Sequence, residues 1–172
     1  MSVKEMSTTA VLAALLYVVY MLGSFVLYLE LVNFTVLLYG VYLSRKQAWL
    51  SVTLFCILVV LTKGLGFWSV MYVVVFPQFA LIYSFIRNVT KNEYVLGAVG
   101  FVLAFLCGTL IDLPSIAISG VSGQALVLRF LMGFQVSLGN AACTIIATLF
   151  LLKPLGSVFV RANLTVKENV IS

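Results

Sequence analysis

Three polar side chains interrupt the last apolar stretch of the 172-residue chain: Arg129, Gln135 and Asn140. In a hydrocarbon setting each is costly unless it meets protein or a water-filled cavity, so such residues point towards ligand recognition. At 100° per residue on a helix, Arg129 and Gln135 differ in direction by about 120°, and Gln135 and Asn140 by about 140°. The three therefore do not form one stripe. Arg129 and Asn140 are the candidate binding residues, and Gln135 serves equally well as a helix–helix hydrogen bond. Trp68 and Tyr72, one helical turn apart, add stacking faces, while Asp112 and Gln124 add hydrogen-bonding groups. That mixture suits a small polar ring compound. An aromatic belt at a membrane interface accounts for Trp68 and Tyr72 just as well.

Other chemistries lack their residues. The chain has no histidine, and its five acids are Glu5, Glu30, Glu93, Asp112 and Glu168. None of these lies in the middle of an apolar run, so an intramembrane proton relay has no carrier. Cys56, Cys107 and Cys143 fall in three separate apolar runs without a CxxC spacing and read as small hydrophobes, not as metal ligands or a disulfide framework. No GxxxxGK[ST] phosphate loop is present, and Gly64-Leu65-Gly66 lacks the third glycine of a dinucleotide fingerprint. Neither an enzyme nor a cofactor is expected. The net charge of +5 comes from ten Lys and Arg residues scattered in ones and twos, which does not form a nucleic-acid-binding stripe.

The elements that must hold these residues are membrane helices. With 63% hydrophobic and 9% charged residues and a mean hydropathy of +1.21, the chain is far from the ~25% charged composition of soluble domains. Continuous apolar runs without apolar/polar alternation argue for helices over barrel strands. Six segments are expected, at residues 7–25, 31–43, 48–61, 67–86, 94–111 and 125–152, forming one all-α membrane domain over residues 1–172. Ser7, Thr8 and Thr9 are candidate caps for the first, Pro77 a kink in the fourth, and residues 112–124 a small-residue loop. The second and third segments, near 15 residues, are short for a span of ~30 Å. The first segment lacks a small-x-small cleavage site and reads as a retained helix. Six spans would put Lys4, Arg45, Lys46, Arg87, Lys91, Lys153, Arg161 and Lys167 on one face, against Lys63 and Arg129 on the other. The positive-inside rule then makes both termini cytoplasmic.

The first segment also carries Ala10 and Ala14, at i and i+4 on one face, where another helix could approach closely. Six spans, cytoplasmic termini, Ala10-xxx-Ala14 and the Gly139-Asn140 pair together resemble the substrate-binding S component of an energy-coupling factor (ECF) vitamin transporter. The resemblance covers nearly the whole chain. It implies a subunit of the bacterial plasma membrane that captures a water-soluble vitamin or precursor at the outer side. It also implies that Ala10 and Ala14 dock on a transmembrane coupling subunit, and that two cytoplasmic ATPases supply the energy. By resemblance the hydroxymethylpyrimidine/pyridoxine-type members come first. A pantothenate-type member follows, with Arg129 as the partner of the pantothenate carboxylate. The implied binding residues are Trp68, Tyr72, Asp112, Gln124, Arg129 and Asn140. A stand-alone small-solute transporter or channel is the alternative.

Overall fold

The computed structural model describes residues 2–25, 30–120 and 122–164. These form six helices: α1 (Val3–Gly23), α2 (Val32–Tyr42), α3 (Arg45–Lys63), α4 (Phe67–Val89), α5 (Glu93–Ser119) and α6 (Gln124–Arg161). The links between α2 and α6 are two to four residues long, which makes successive helices antiparallel neighbours. Five of the helices are long and apolar enough to cross a membrane, and α2 is the exception. Its 11 residues rise only about 17 Å. Lys167, counted above among the basic residues, lies outside the described residues.

The short helix is the centre of the bundle. Every residue of α2 is buried, and it touches all five other helices. A helix that is apolar on all sides must be enclosed, and α2 carries Phe34, Val36, Leu37, Leu38, Tyr39 and Val41 around its circumference. At its C-terminal end the fit is close. A methyl group on Gly40 would meet Tyr83 Cβ at 2.5 Å and the Ala80 carbonyl at 2.9 Å, so only glycine lets α2 and α4 approach this far. Ser84 Oγ donates to the Gly40 carbonyl at 3.0 Å. Arg87 Nη1 donates to the carbonyls of Gly40 (3.1 Å), Val41 (3.2 Å) and Leu43. A buried guanidinium thereby satisfies the orphan acceptors at the helix end and complements its dipole.

Helix boundaries differ from the sequence expectation in instructive places. The first helix begins at Val3 because Ser2 and Glu5 form a capping box: Glu5 N–H donates to Ser2 Oγ at 3.2 Å and Ser2 N–H to Glu5 Oε2 at 2.8 Å. Thr8 and Thr9, expected as caps, instead donate to the carbonyls of Lys4 and Glu5 inside the helix. The third and fourth helices reach a turn or less beyond the expected ends.

The loop expected at residues 112–124 is largely helix. The α5 helix runs through Pro114 to Ser119 and closes at Gly120 in the left-handed region (φ 62°), leaving a short turn before α6. The α6 helix runs through Pro154, expected as a stop, to Arg161. Its extension is held by packing: Leu152, Gly156 and Phe159 are buried at i, i+4 and i+7, and Phe159 meets Tyr39 and Tyr42. A methyl group on Gly156 would overlap the Tyr42 ring. At ~1.5 Å per residue, α6 is about 57 Å long, well beyond a ~30 Å hydrocarbon core.

Candidate ligand site

The starts of α2, α4 and α6 and the ends of α3 and α5 fall at one end of the bundle. At that end a cavity of about 270 Å³ opens between them. It is lined by Glu30 ahead of α2, Trp68 and Tyr72 of α4, Cys107, Gly108, Ile111 and Asp112 of α5, and Val136 and Asn140 of α6.

The aromatic wall is fixed from behind. Tyr72 makes edge-on contacts with Trp68 (5.5 Å between centroids), Phe76 (4.8 Å) and Tyr20 of α1 (6.3 Å). Such T-shaped contacts each contribute about 0.5–1.5 kcal/mol beyond area burial. The turn carrying Trp68 is tied by Ser69, whose hydroxyl donates to the Gly64 carbonyl at 2.8 Å and accepts from Gly66 N–H at 2.9 Å. Pro77 has no N–H for the carbonyl of Val73, which loosens the backbone next to Tyr72. Cys56 of α3 donates its thiol to the Tyr72 carbonyl at 3.3 Å, so this buried cysteine works as a small packing group with a weak donor.

The polar side of the cavity joins distant parts of the chain. Asn140 Nδ2 donates to Glu30 Oε2 across a separation of 110 residues, pinning the α1–α2 link to α6. Burial pushes the Glu30 carboxyl above its usual range, and the Asn140 donor offsets part of that rise. Three residues further on, Asn33 is fully buried, and neither end of its amide has a partner among the described residues. An amide left so costs about 1–3 kcal/mol, a cost more usual at functional sites than in packed cores.

Four of the six residues expected to bind a ligand thus share one cavity: Trp68, Tyr72, Asp112 and Asn140. Arg129 does not line it. Arg129 Nη2 lies 3.9 Å from Asp112 Oδ1 and donates to Ser115 Oγ at 3.0 Å. It belongs to an apolar groove of about 750 Å³ between α5 and α6, which abuts the cavity at Gly108, Asp112, Val136 and Asn140. The groove is larger and mostly apolar, whereas the smaller cavity gathers Glu30, Asp112 and Asn140 beside two aromatic rings and is the candidate site. Gln124 is exposed at the start of α6 and lines neither space. Gln135 and Gln78 also face outward. Glu30, which was not among the expected binding residues, carries no motif that marks it as a wall of the site. Its isolation as an acid between two apolar segments was the available signal.

Ala10 and Ala14 lie on the exposed face of α1, flanked by the exposed Val11, Leu15 and Val18. The opposite face, Thr9, Leu12, Ala13 and Leu16, is the buried one. Among the described residues no group of three or more Cys, Asp or Glu side chains is placed to hold a metal ion. No protein family, curated protein or solved structure matches this chain.

Proposed function

We propose that this chain is the membrane-embedded capture subunit of an ECF-type vitamin transporter, and that the cavity receives a single-ring vitamin or precursor of the pyrimidine or pyridine kind. The observation that carries the reading is the cavity itself: two braced aromatic rings facing Glu30, Asp112 and Asn140 at one end of an apolar bundle. Its volume falls just below the ~300–1,000 Å³ of drug-sized ligand sites, which suits one ring with short substituents.

The opposite end of the bundle carries Lys4, Arg45, Lys46, Arg87, Lys91, Lys153 and Arg161. By the positive-inside rule that end faces the cytoplasm, the cavity opens outward, and the short α2 is the sixth span. The membrane is the plasma membrane of a bacterium. The exposed Ala10/Ala14 face of α1 is the docking surface for a transmembrane coupling subunit, because small residues let a partner helix approach closely. Two cytoplasmic ATPases supply the energy that a chain without a phosphate loop cannot. Pantothenate is less well supported than a ring compound, since Asp112 and Ser115 already engage the Arg129 guanidinium.

The test is a titration of the purified chain in detergent with hydroxymethylpyrimidine, pyridoxine, pantothenate and other water-soluble vitamins, following tryptophan fluorescence. Trp68 reports from the cavity and Trp49, on α3 near the basic end, is the internal control. The expected result is saturable quenching by one ring compound that disappears in Trp68→Phe. Ala10→Trp should leave that quenching intact and abolish uptake in cells that carry the complete transporter. Uptake into vesicles that hold this chain alone would instead establish a stand-alone transporter.

A further inference from the structure

We propose that Glu30 decides which ligands the cavity admits: it selects a ring that presents a protonated nitrogen or an N–H edge, and it turns away a ring that presents a carboxylate. The inference rests on the capture reading above and adds the charge class of the cargo.

Among the described residues the cavity wall carries two carboxylates and no cation. A carboxylate offers about four acceptor positions, and Glu30 has one side-chain donor, the Asn140 amide, among the described residues. No cation pairs with it there, and none lines the cavity. The second charged group in the wall is Asp112, also an acid. The cation nearest to the cavity wall in these contacts, Arg129, is held outside it by Asp112 and Ser115. Asn140 spends an N–H on Glu30 and keeps its carbonyl oxygen as a further acceptor. Trp68 and Tyr72 add negative π faces, which attract cations and stack on heteroaromatic rings.

A ligand that brings a positive charge or N–H donors completes this arrangement, and charge-assisted contacts to a carboxylate are the stronger kind. A ligand that brings its own carboxylate would place like charges together in a partly buried space with no cation in its wall to offset them. Discrimination by Glu30 is therefore both attractive and repulsive.

Pyridoxamine and 4-pyridoxate test this directly, because they share one ring and differ at a single carbon, which bears an aminomethyl group in one and a carboxylate in the other. Binding is measured by calorimetry on the full chain in detergent, with hydroxymethylpyrimidine and pantothenate as second members of each charge class. The wild-type chain should bind pyridoxamine at least about tenfold tighter than 4-pyridoxate, the scale of one charge-assisted contact. Glu30→Gln should weaken pyridoxamine by about tenfold or more and shrink the gap between the two rings. Glu30→Asp keeps the charge on a shorter stem and should keep the preference for the amine, which a merely structural role would not predict. Thermal unfolding of each variant confirms that it is folded. Tighter binding of 4-pyridoxate or pantothenate, or amine binding that Glu30→Gln leaves unchanged, overturns the charge assignment and leaves the capture reading standing. A folded chain that binds none of the four, nor any other vitamin, overturns both.

Discussion

The two ends of α2 are built on opposite terms. At its C-terminal end Gly40 lies flush against Tyr83, Ser84 and Arg87 occupy its last carbonyls, and Gly156 of α6 closes over Tyr42. At its N-terminal end, among the described residues, Glu30 has a single side-chain donor, the buried Asn33 amide makes no hydrogen bond of ordinary geometry, and a cavity opens beside Glu30. In a hydrocarbon surrounding, where every unmade hydrogen bond is costly, the first arrangement is what stability demands. The second gives up stability for groups that await a partner. Substitutions at the tight C-terminal end of α2 should therefore act on folding, and those at the cavity end on binding.

Gly40→Ala should produce the largest effect. The added methyl group meets Tyr83 Cβ and the Ala80 backbone carbonyl, neither of which is the free end of a flexible chain. Overpacking of this kind costs about 1–3 kcal/mol, and more where backbone must shift. Thermal unfolding in detergent should show a large loss of stability or no folded protein. Arg87→Met acts on the same end by leaving the Gly40, Val41 and Leu43 carbonyls without their donor, and should destabilise by several kcal/mol. Tolerance of both changes would break the contrast, since it would make this end as permissive as the other.

Glu30→Gln should move stability the other way. A carboxyl whose pKa is raised on folding stabilises the folded state fully below its unfolded value, and that contribution is lost as pH rises through the raised value. Glutamine keeps the neutral form at every pH. The variant should thus match the wild type under acid conditions and unfold at a higher temperature at neutral pH, the gap opening above the ordinary carboxylate range. The groups around Glu30 do not confuse the experiment. Asn140 carries no titratable group, and Asp112, the other acid of the cavity wall, is common to both proteins and drops out of the comparison. Unfolding temperatures that run parallel with pH in both proteins would remove Glu30 as a stored cost.

How far the sequence could be read follows the same division. Apolar composition and continuous runs were enough for an all-helical chain with several helices fit to cross a membrane, because the bilayer constrains the backbone so strongly. Polar punctuation misplaced the ends of α5 and α6, since Pro114 and Pro154 read as breaks when a neighbouring helix can hold the backbone on either side of them. Trp68, Tyr72 and Asn140, which share the cavity, were legible as costly or amphipathic residues in apolar runs, and Asp112 as an acid at the end of one. Glu30 was not, because its meaning depends on a contact with α6 made across a separation of 110 residues. The tight end of α2 was equally hidden: nothing in the residue types around Gly40 announces that Tyr83 will lie against it.

The smallest expected effect sharpens the contrast at the cavity itself. Arg129 and Asp112 are 34% and 47% exposed and 3.9 Å apart, so their pairing contributes no more than about 1 kcal/mol to stability. Arg129→Gln should leave the unfolding temperature nearly unchanged, in contrast to Arg87→Met, although both remove an arginine from the same bundle. Its effect should appear in binding. Without the guanidinium, Asp112 contributes its full negative charge to the cavity wall, and pyridoxamine should bind tighter by about twofold to fivefold, the scale of one solvent-screened charge. Raising the salt concentration should erase that gain, because the pair is open to screening, while the larger loss in Glu30→Gln should persist. Weaker amine binding in Arg129→Gln would mean that the arginine itself touches the ligand, and would move the site from the cavity towards the α5–α6 groove.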